Sequence, residues 1–186
     1  QSNLSCTFLA LLCVVNVGEA SSSGIEADIR GQLTNNLGIS ASYTYNDSEL
    51  ESLSSNAQEF IDDGTLFADP NLGERLPGAS EHTIYLGANY EQDLSNDMRV
   101  LYALNGSYRS DAESSLSTDS VELDGFWLWN AGVSLLTEDW TVRVFVNNID
   151  DERGLLGADP VGPWGPNANA VVSTPRTFGL TGSYRF

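Results

Sequence analysis

The chain has 186 residues, eight Arg and 26 Asp or Glu, for a formal net charge of −18. That balance excludes a nucleic-acid binder, which needs a basic face to neutralise phosphates. Two Cys are too few for a disulfide-built scaffold. The longest run free of polar residues, Phe8 to Val15, is far short of the roughly 20 residues of a spanning helix.

The elements that remain are strands. The first candidate is the apolar run Phe8 to Gly18, read as a strand rather than a signal-peptide core because no basic residue precedes it and no A-x-A site follows. From Gly24 to Leu33, Ile25, Ala27, Ile29 and Leu33 alternate with Glu26, Asp28, Arg30 and Gln32. From Leu37 to Asn46, Leu37, Ile39, Ala41, Tyr43 and Tyr45 alternate with Gly38, Ser40, Ser42 and Thr44. A period of two predicts strands with one apolar and one polar face. Thr34-Asn35-Asn36 reads as the turn between them.

The alternation recurs in Ile84–Tyr90, Met98–Tyr108, Trp127–Leu135, Trp140–Val146 and Phe178–Phe186, giving about eight antiparallel strands. The links at 34–36, 91–97 and 136–139 are short, whereas those at 47–79, 110–123 and 149–174 are long, acidic and rich in Gly, Pro and Ser. Short turns at one end and long loops at the other predict a transmembrane β-barrel segment. Alternation alone also fits a soluble sandwich, with the apolar row turned inward. Strands of about 10–13 residues favour the membrane, because globular strands average about 5–6. Aromatics mark both ends of the apolar rows: Tyr43, Tyr45, Tyr108, Trp127, Trp129 and Phe178 toward the long loops, and Tyr90, Trp140, Tyr184 and Phe186 toward the short turns. Arg30, Arg99, Arg109, Arg143 and Arg185 all fall on polar rows, as expected of a lumen-facing side.

Four motifs add a family resemblance. The C-terminal run Ser173–Phe186, with Tyr184 two residues before the terminal Phe186, is similar to the last strand of TonB-dependent outer-membrane receptors. Val144–Arg153 resembles the family's "NL-x-D" segment at Asn148, Asp150 and Asp151, with Ile149 for Leu. Val15–Ala20 followed by Gly24-Ile25-Glu26 resembles its N-x-G-E-A hairpin, and Leu76-Pro77 before the fourth strand also fits.

The resemblance implies that residues 1–186 are the C-terminal part of a 22-strand barrel, with the plug domain and TonB box absent from this chain. A truncated gene, a sequence fragment and a complete small barrel are the competing accounts. It further implies uptake of siderophore–iron, with cobalamin or glycans as alternatives. The implied partners are outer-membrane lipid, the plug and remaining strands, the TonB complex, and the barrel-assembly machinery, which would read Tyr184 and Phe186. The alternative function is a passive eight-stranded barrel with an anchoring or adhesive role.

No catalytic constellation is present in the sequence, and no cofactor or resident metal is expected. His82 is the only His, and it falls at the mouth of a strand beside Glu81. Asp62-Asp63-Gly64 lacks EF-hand spacing. Candidate ligand contacts on the long loops are Trp164, His82, Asp150 and Asp151, with solvated charge and ordinary loop packing as the competing readings. Cys6 and Cys13 lie more than about 20 Å apart in a straight strand, so a disulfide between them needs an intervening turn.

Overall fold

In the computed structural model, the described residues are 16–62, 72–94, 97–116, 120–158 and 169–186. The expected first strand at Phe8–Gly18, both cysteines and Trp164 lie wholly or mostly outside them. Seven long strands form one antiparallel sheet. They are β1 (Gly18–Gln32), β2 (Leu37–Leu53), β3 (His82–Asp93), β4 (Arg99–Arg109), β7 (Phe126–Leu136), β8 (Trp140–Asn147) and β11 (Thr177–Tyr184). Their order in the sheet is their order in the sequence. The links carry four short strands, β5 (Ala112–Glu113), β6 (Glu122–Leu123), β9 (Leu155–Ala158) and β10 (Ala170–Val172), and one helix, α1 (Ser55–Asp62).

Register puts the apolar rows directly opposite one another. Ala27 faces Tyr43, which faces Ile84, which faces Tyr108, which faces Trp127. Lower down, Leu104 faces Ala131, Ala131 faces Val146, and Val146 faces Phe178. Because side chains alternate along a strand, a matched register extends one apolar face across all seven strands. That face is uncovered: Ile29, Val144, Phe178 and Leu180 are each more than half exposed. A water-soluble sandwich buries such a face, so its exposure matches a wall that meets lipid.

Ring contacts concentrate at the two ends of the apolar face, as the two aromatic sets predict. Toward the long loops, Tyr108, Trp127 and Trp129 stack in series at 5.2 Å, and Tyr43 and Tyr45 flank the His82 ring. Toward the short turns, Tyr90 meets Tyr102, and Trp140, Tyr184 and Phe186 form a second series. Gly106 faces Trp129, and a Cβ there would run into the indole ring. The glycine thus gives the indole a bed on the strand surface.

The turns are closed by hydroxyl side chains. Thr34 Oγ1 accepts from the amides of Asn36 and Leu37, and Thr137 Oγ1 accepts from that of Trp140. Such bonds let Thr cap a reversal locally.

Two expectations change. Gly18–Gln32 is a single strand, so residues 20–24 form no hairpin turn. The Ser21–Ser23 stretch pairs with β2 instead, and Ser22 Oγ donates to Asn46 Oδ1 at 2.7 Å. The first long link also starts later, because β2 continues to Leu53. Beyond the Tyr45–His82 pair, β2 has only β1 as its long partner. The β1–β2 hairpin therefore runs on about eight residues, or roughly 25 Å, into the rim, where the first long link pairs with it at Glu49 and Arg75. Ser54 follows as the N-cap of α1, with its Oγ accepting from the Ala57 amide at 3.1 Å.

Among the described residues the sheet is open. β1 and β11 are its two edges and do not pair with each other.

Candidate functional site

The opposite face of the sheet is polar, and the long connections gather at one end of it. Glu26, Asp28, Arg30, Thr44, Ser42, Ser40, Thr83, Asn89, Ser107 and Asn105 occupy the register positions between the apolar rows. On β1–β3, Gly31, Gly38, Ser40 and Ser42 leave a trough of about 790 Å³, bordered by Asp28, Arg30, Tyr85 and Asn89. Small side chains leave room there for another body to approach the backbone.

Four of the five Arg named from the sequence, Arg30, Arg99, Arg109 and Arg143, fall on this polar side by register, and their surroundings differ. Arg99 is satisfied by Glu91 at 3.2 Å and Asp93 at 3.1 Å. The guanidinium of Arg143 lies 5.5 Å from the centre of the Phe145 ring. Arg109 lies over Phe126 at 5.7 Å. Arg30 faces Ser40 and borders the trough. The Arg185 amide bonds the Asp139 carbonyl across the last short turn.

The long-loop rim is a knit structure. Arg75 Nη2 reaches Asp111 Oδ2 at 2.6 Å and ties the first long link to the second. Its hydrogen bond holds the Asp111 carboxyl below the usual carboxylate range. Gly78 N donates to Glu113 O, and Ser80 Oγ donates to Ser110 O, along the same seam.

Asn148 organises the third link. It is buried and has a left-handed φ of 54°, a conformation Asn tolerates better than most residues. Its Nδ2 donates to the carbonyls of Glu152 and Thr174, and its Oδ1 accepts from the Glu152 amide. Its own amide donates to Asn130 Oδ1, and Asn130 Nδ2 donates to Asn105 Oδ1. One side-chain relay thus runs from the middle of the wall to the root of the loop.

The ligand candidates from the sequence do not converge. His82 is at an apolar-row position, in register with Tyr45, and its Nδ1 lies 3.0 Å from Tyr43 Oη. It belongs to the aromatic series, not the polar face. Asp151 is engaged within its loop: Oδ1 accepts from the Arg176 amide at 2.8 Å and meets Arg153 Nη2 at 3.3 Å. The Arg176 hydrogen bond, with the two cations, holds its carboxyl below the ordinary range. Asp150 is exposed in the adjoining turn. Trp164 lies outside the described residues. Among those residues no cluster of His, Cys, Asp and Glu is arranged to hold a metal ion. Sequence reasoning missed the Asn105–Asn130–Asn148 relay. Its signals were Asn105 and Asn130 at mid-strand polar-row positions and Asn148 in the NL-x-D segment.

Long antiparallel strands with an uncovered apolar face, two aromatic belts and loops sorted by length define a wall segment of a transmembrane β-barrel. The family "TonB dependent receptor-like, beta-barrel" matches residues 2–149, and the chain belongs to that family. It is 24% identical over 174 residues to the ferric-pyoverdine M114 receptor PbuA of Pseudomonas sp. (strain M114), covering 89% of this chain and 19% of that protein. In fold it resembles the ferric yersiniabactin uptake receptor FyuA from Yersinia pestis, with a TM-score of 0.72 at 17% identity over 92% of this chain and 24% of that one. It likewise resembles BauA, the ferric preacinetobactin receptor from Acinetobacter baumannii, with a TM-score of 0.69 at 20% identity over 91% and 23%. The chain spans about a fifth of the curated relative it matches.

Proposed function

We propose that this chain is part of the wall of an outer-membrane receptor that imports ferric siderophores with energy delivered by TonB. The single observation that carries the reading is the segregated sheet. One face is apolar across seven strands, the other is polar, and every connection at one end is long. The named relatives support iron–siderophore as the cargo, each being described as a receptor for a ferric ligand.

In this reading the apolar face meets outer-membrane lipid and the polar face meets the plug domain. Trp164 on the third link contributes to capture of the ligand, whereas Asp150 and Asp151 shape its base. His82 anchors the outer rim, and Tyr184 and Phe186 are read by the assembly machinery. The chain is not an enzyme: its chemistry is recognition and passage.

The test is uptake of radiolabelled ferric siderophore by cells whose receptor carries this wall. Replacing residues 155–172 with a short Gly-Ser turn is expected to lower uptake at least tenfold while leaving heat-modifiable gel mobility intact. Unchanged uptake overturns the ligand-facing role of that link. The 186-residue chain alone in liposomes is expected to give no TonB-driven import.

A further inference from the structure

Among the cations of the polar face, Arg109 is exceptional. Its Nε and Nη2 are both shielded from solvent, and among the described residues neither has a hydrogen-bond partner. These two nitrogens form the side-on edge of the guanidinium, which carries two parallel N–H donors spaced for the two oxygens of a carboxylate. A buried charged donor pair without an acceptor is rare, because desolvation without a partner is costly. Arg99, the cation at the other end of the same strand, has two carboxylates.

Among the described residues, the acids that follow Arg109 in sequence are engaged elsewhere. The cross-strand neighbours of Arg109 are Thr83 and Phe126. The nearest acid in sequence, Asp111, gives its carboxylate to Arg75. Glu113 accepts from Ser120 Oγ at 2.6 Å. Strands β4, β7, β8 and β11 contain no Asp or Glu at all, in a chain with 26 of them. This half of the wall is therefore locally cationic within an acidic molecule, directly below the knitted rim.

We propose that the Nε/Nη2 edge of Arg109 is a binding site for a planar carboxylate. This rests on the receptor reading above, since it takes the polar face to be the lumen. The carboxylate has two sources: an Asp or Glu of the receptor's plug, or a carboxylate-bearing ligand arriving from the long-loop end. Because the edge is shielded, binding is coupled to a local opening beside the Arg109–Phe126 pair.

The test uses arginine Nε–Hε NMR signals, in detergent micelles, of a receptor barrel that carries this wall but lacks the plug. Sodium acetate is titrated against sodium chloride at constant ionic strength. The Arg109 signal, assigned by its loss in Arg109→Lys, is expected to move downfield saturably with acetate. Chloride should leave it in place, and the Arg143 signal should move less than a quarter as far. In the receptor with its plug, an Arg109 signal already downfield and indifferent to acetate identifies the plug carboxylate. One that still answers acetate identifies a site open to ligand. A signal that stays at the free-arginine position in both proteins, with backbone amides well dispersed, overturns the proposal. If Val144→Arg still blocks membrane assembly in that case, the receptor reading stands and only this site falls.

Discussion

The middle of the wall and its long-loop rim hold themselves together by different means. In the wall, backbone ladders and matched side-chain rows supply the order, and few side chains bond one another. At the rim, side chains do the joining: Arg75 to Asp111, Asn148 to Glu152 and Thr174, and Ser173 Oγ to the Glu152 carbonyl at 2.6 Å. In the proposed reading the wall borrows its environment from lipid, so it needs no core of its own. The rim stands in water and builds small cores instead, around Leu50, Ala57, Ala112, Leu123 and Phe126. Polarity errors should therefore hurt the wall most, and lost hydrogen bonds should hurt the rim most.

The largest expected effect comes from neighbouring substitutions on opposite faces of β8. Val144→Arg places a charge on the apolar face, at a cost of about 2–4 kcal/mol near the bilayer midplane. It should abolish heat-modifiable gel mobility, whereas Arg143→Gln on the polar face should leave that mobility intact. Equal effects from the two would break the assigned facing. Next comes Asn148→Ala at the rim. It removes three side-chain hydrogen bonds and places Ala at a left-handed φ, for a loss of about 3 kcal/mol. Limited proteolysis should then cut within 149–176 while the strands stay protected.

Gly106→Val should cost about 1 kcal/mol, less than the same crowding in a closed core, because the Trp129 ring can swing toward lipid. A shift in tryptophan emission reports the loss of the Trp127–Trp129 stack. The smallest effect is at the Arg75–Asp111 pair, which is partly exposed and contributes under about 1 kcal/mol. Asp111 has a lower pKa folded than unfolded, so its contribution is complete above the unfolded value and fades as pH falls below about 4. The distance between spin labels on the first two long links should hold from pH 8 to pH 5 and lengthen only in stronger acid.

Much of the wall was legible because its order is periodic. Ile39-Ser40-Ala41-Ser42-Tyr43 states its two faces residue by residue, and the uneven link lengths state which end is which. The rim was less so. Ala112 and Leu123 are single apolar residues in acidic, Ser-rich links, and become a core only when distant segments meet. The extension of β2 through Asn46–Leu53 broke the period, because that part pairs within the rim, with β1 and the first long link, and carries no continuous apolar face. His82 read as a loop residue, yet register fixes it beside Tyr45. Asp151 read as a free carboxylate, yet its partner Arg176 is 25 positions away. Contacts of that span leave no local trace in sequence.

The unpaired outer strands set a condition on where this wall can exist. Hydrocarbon offers nothing to a bare peptide group, and each one left open there costs several kcal/mol. Among the described residues, the part of β1 from Ile25 to Gln32 presents such a margin, and β11 presents another. Insertion must therefore be cooperative with whatever strands zip onto both margins. A mutation that weakens either seam should act on the assembly of the whole cylinder, even where it leaves this sector's own contacts untouched.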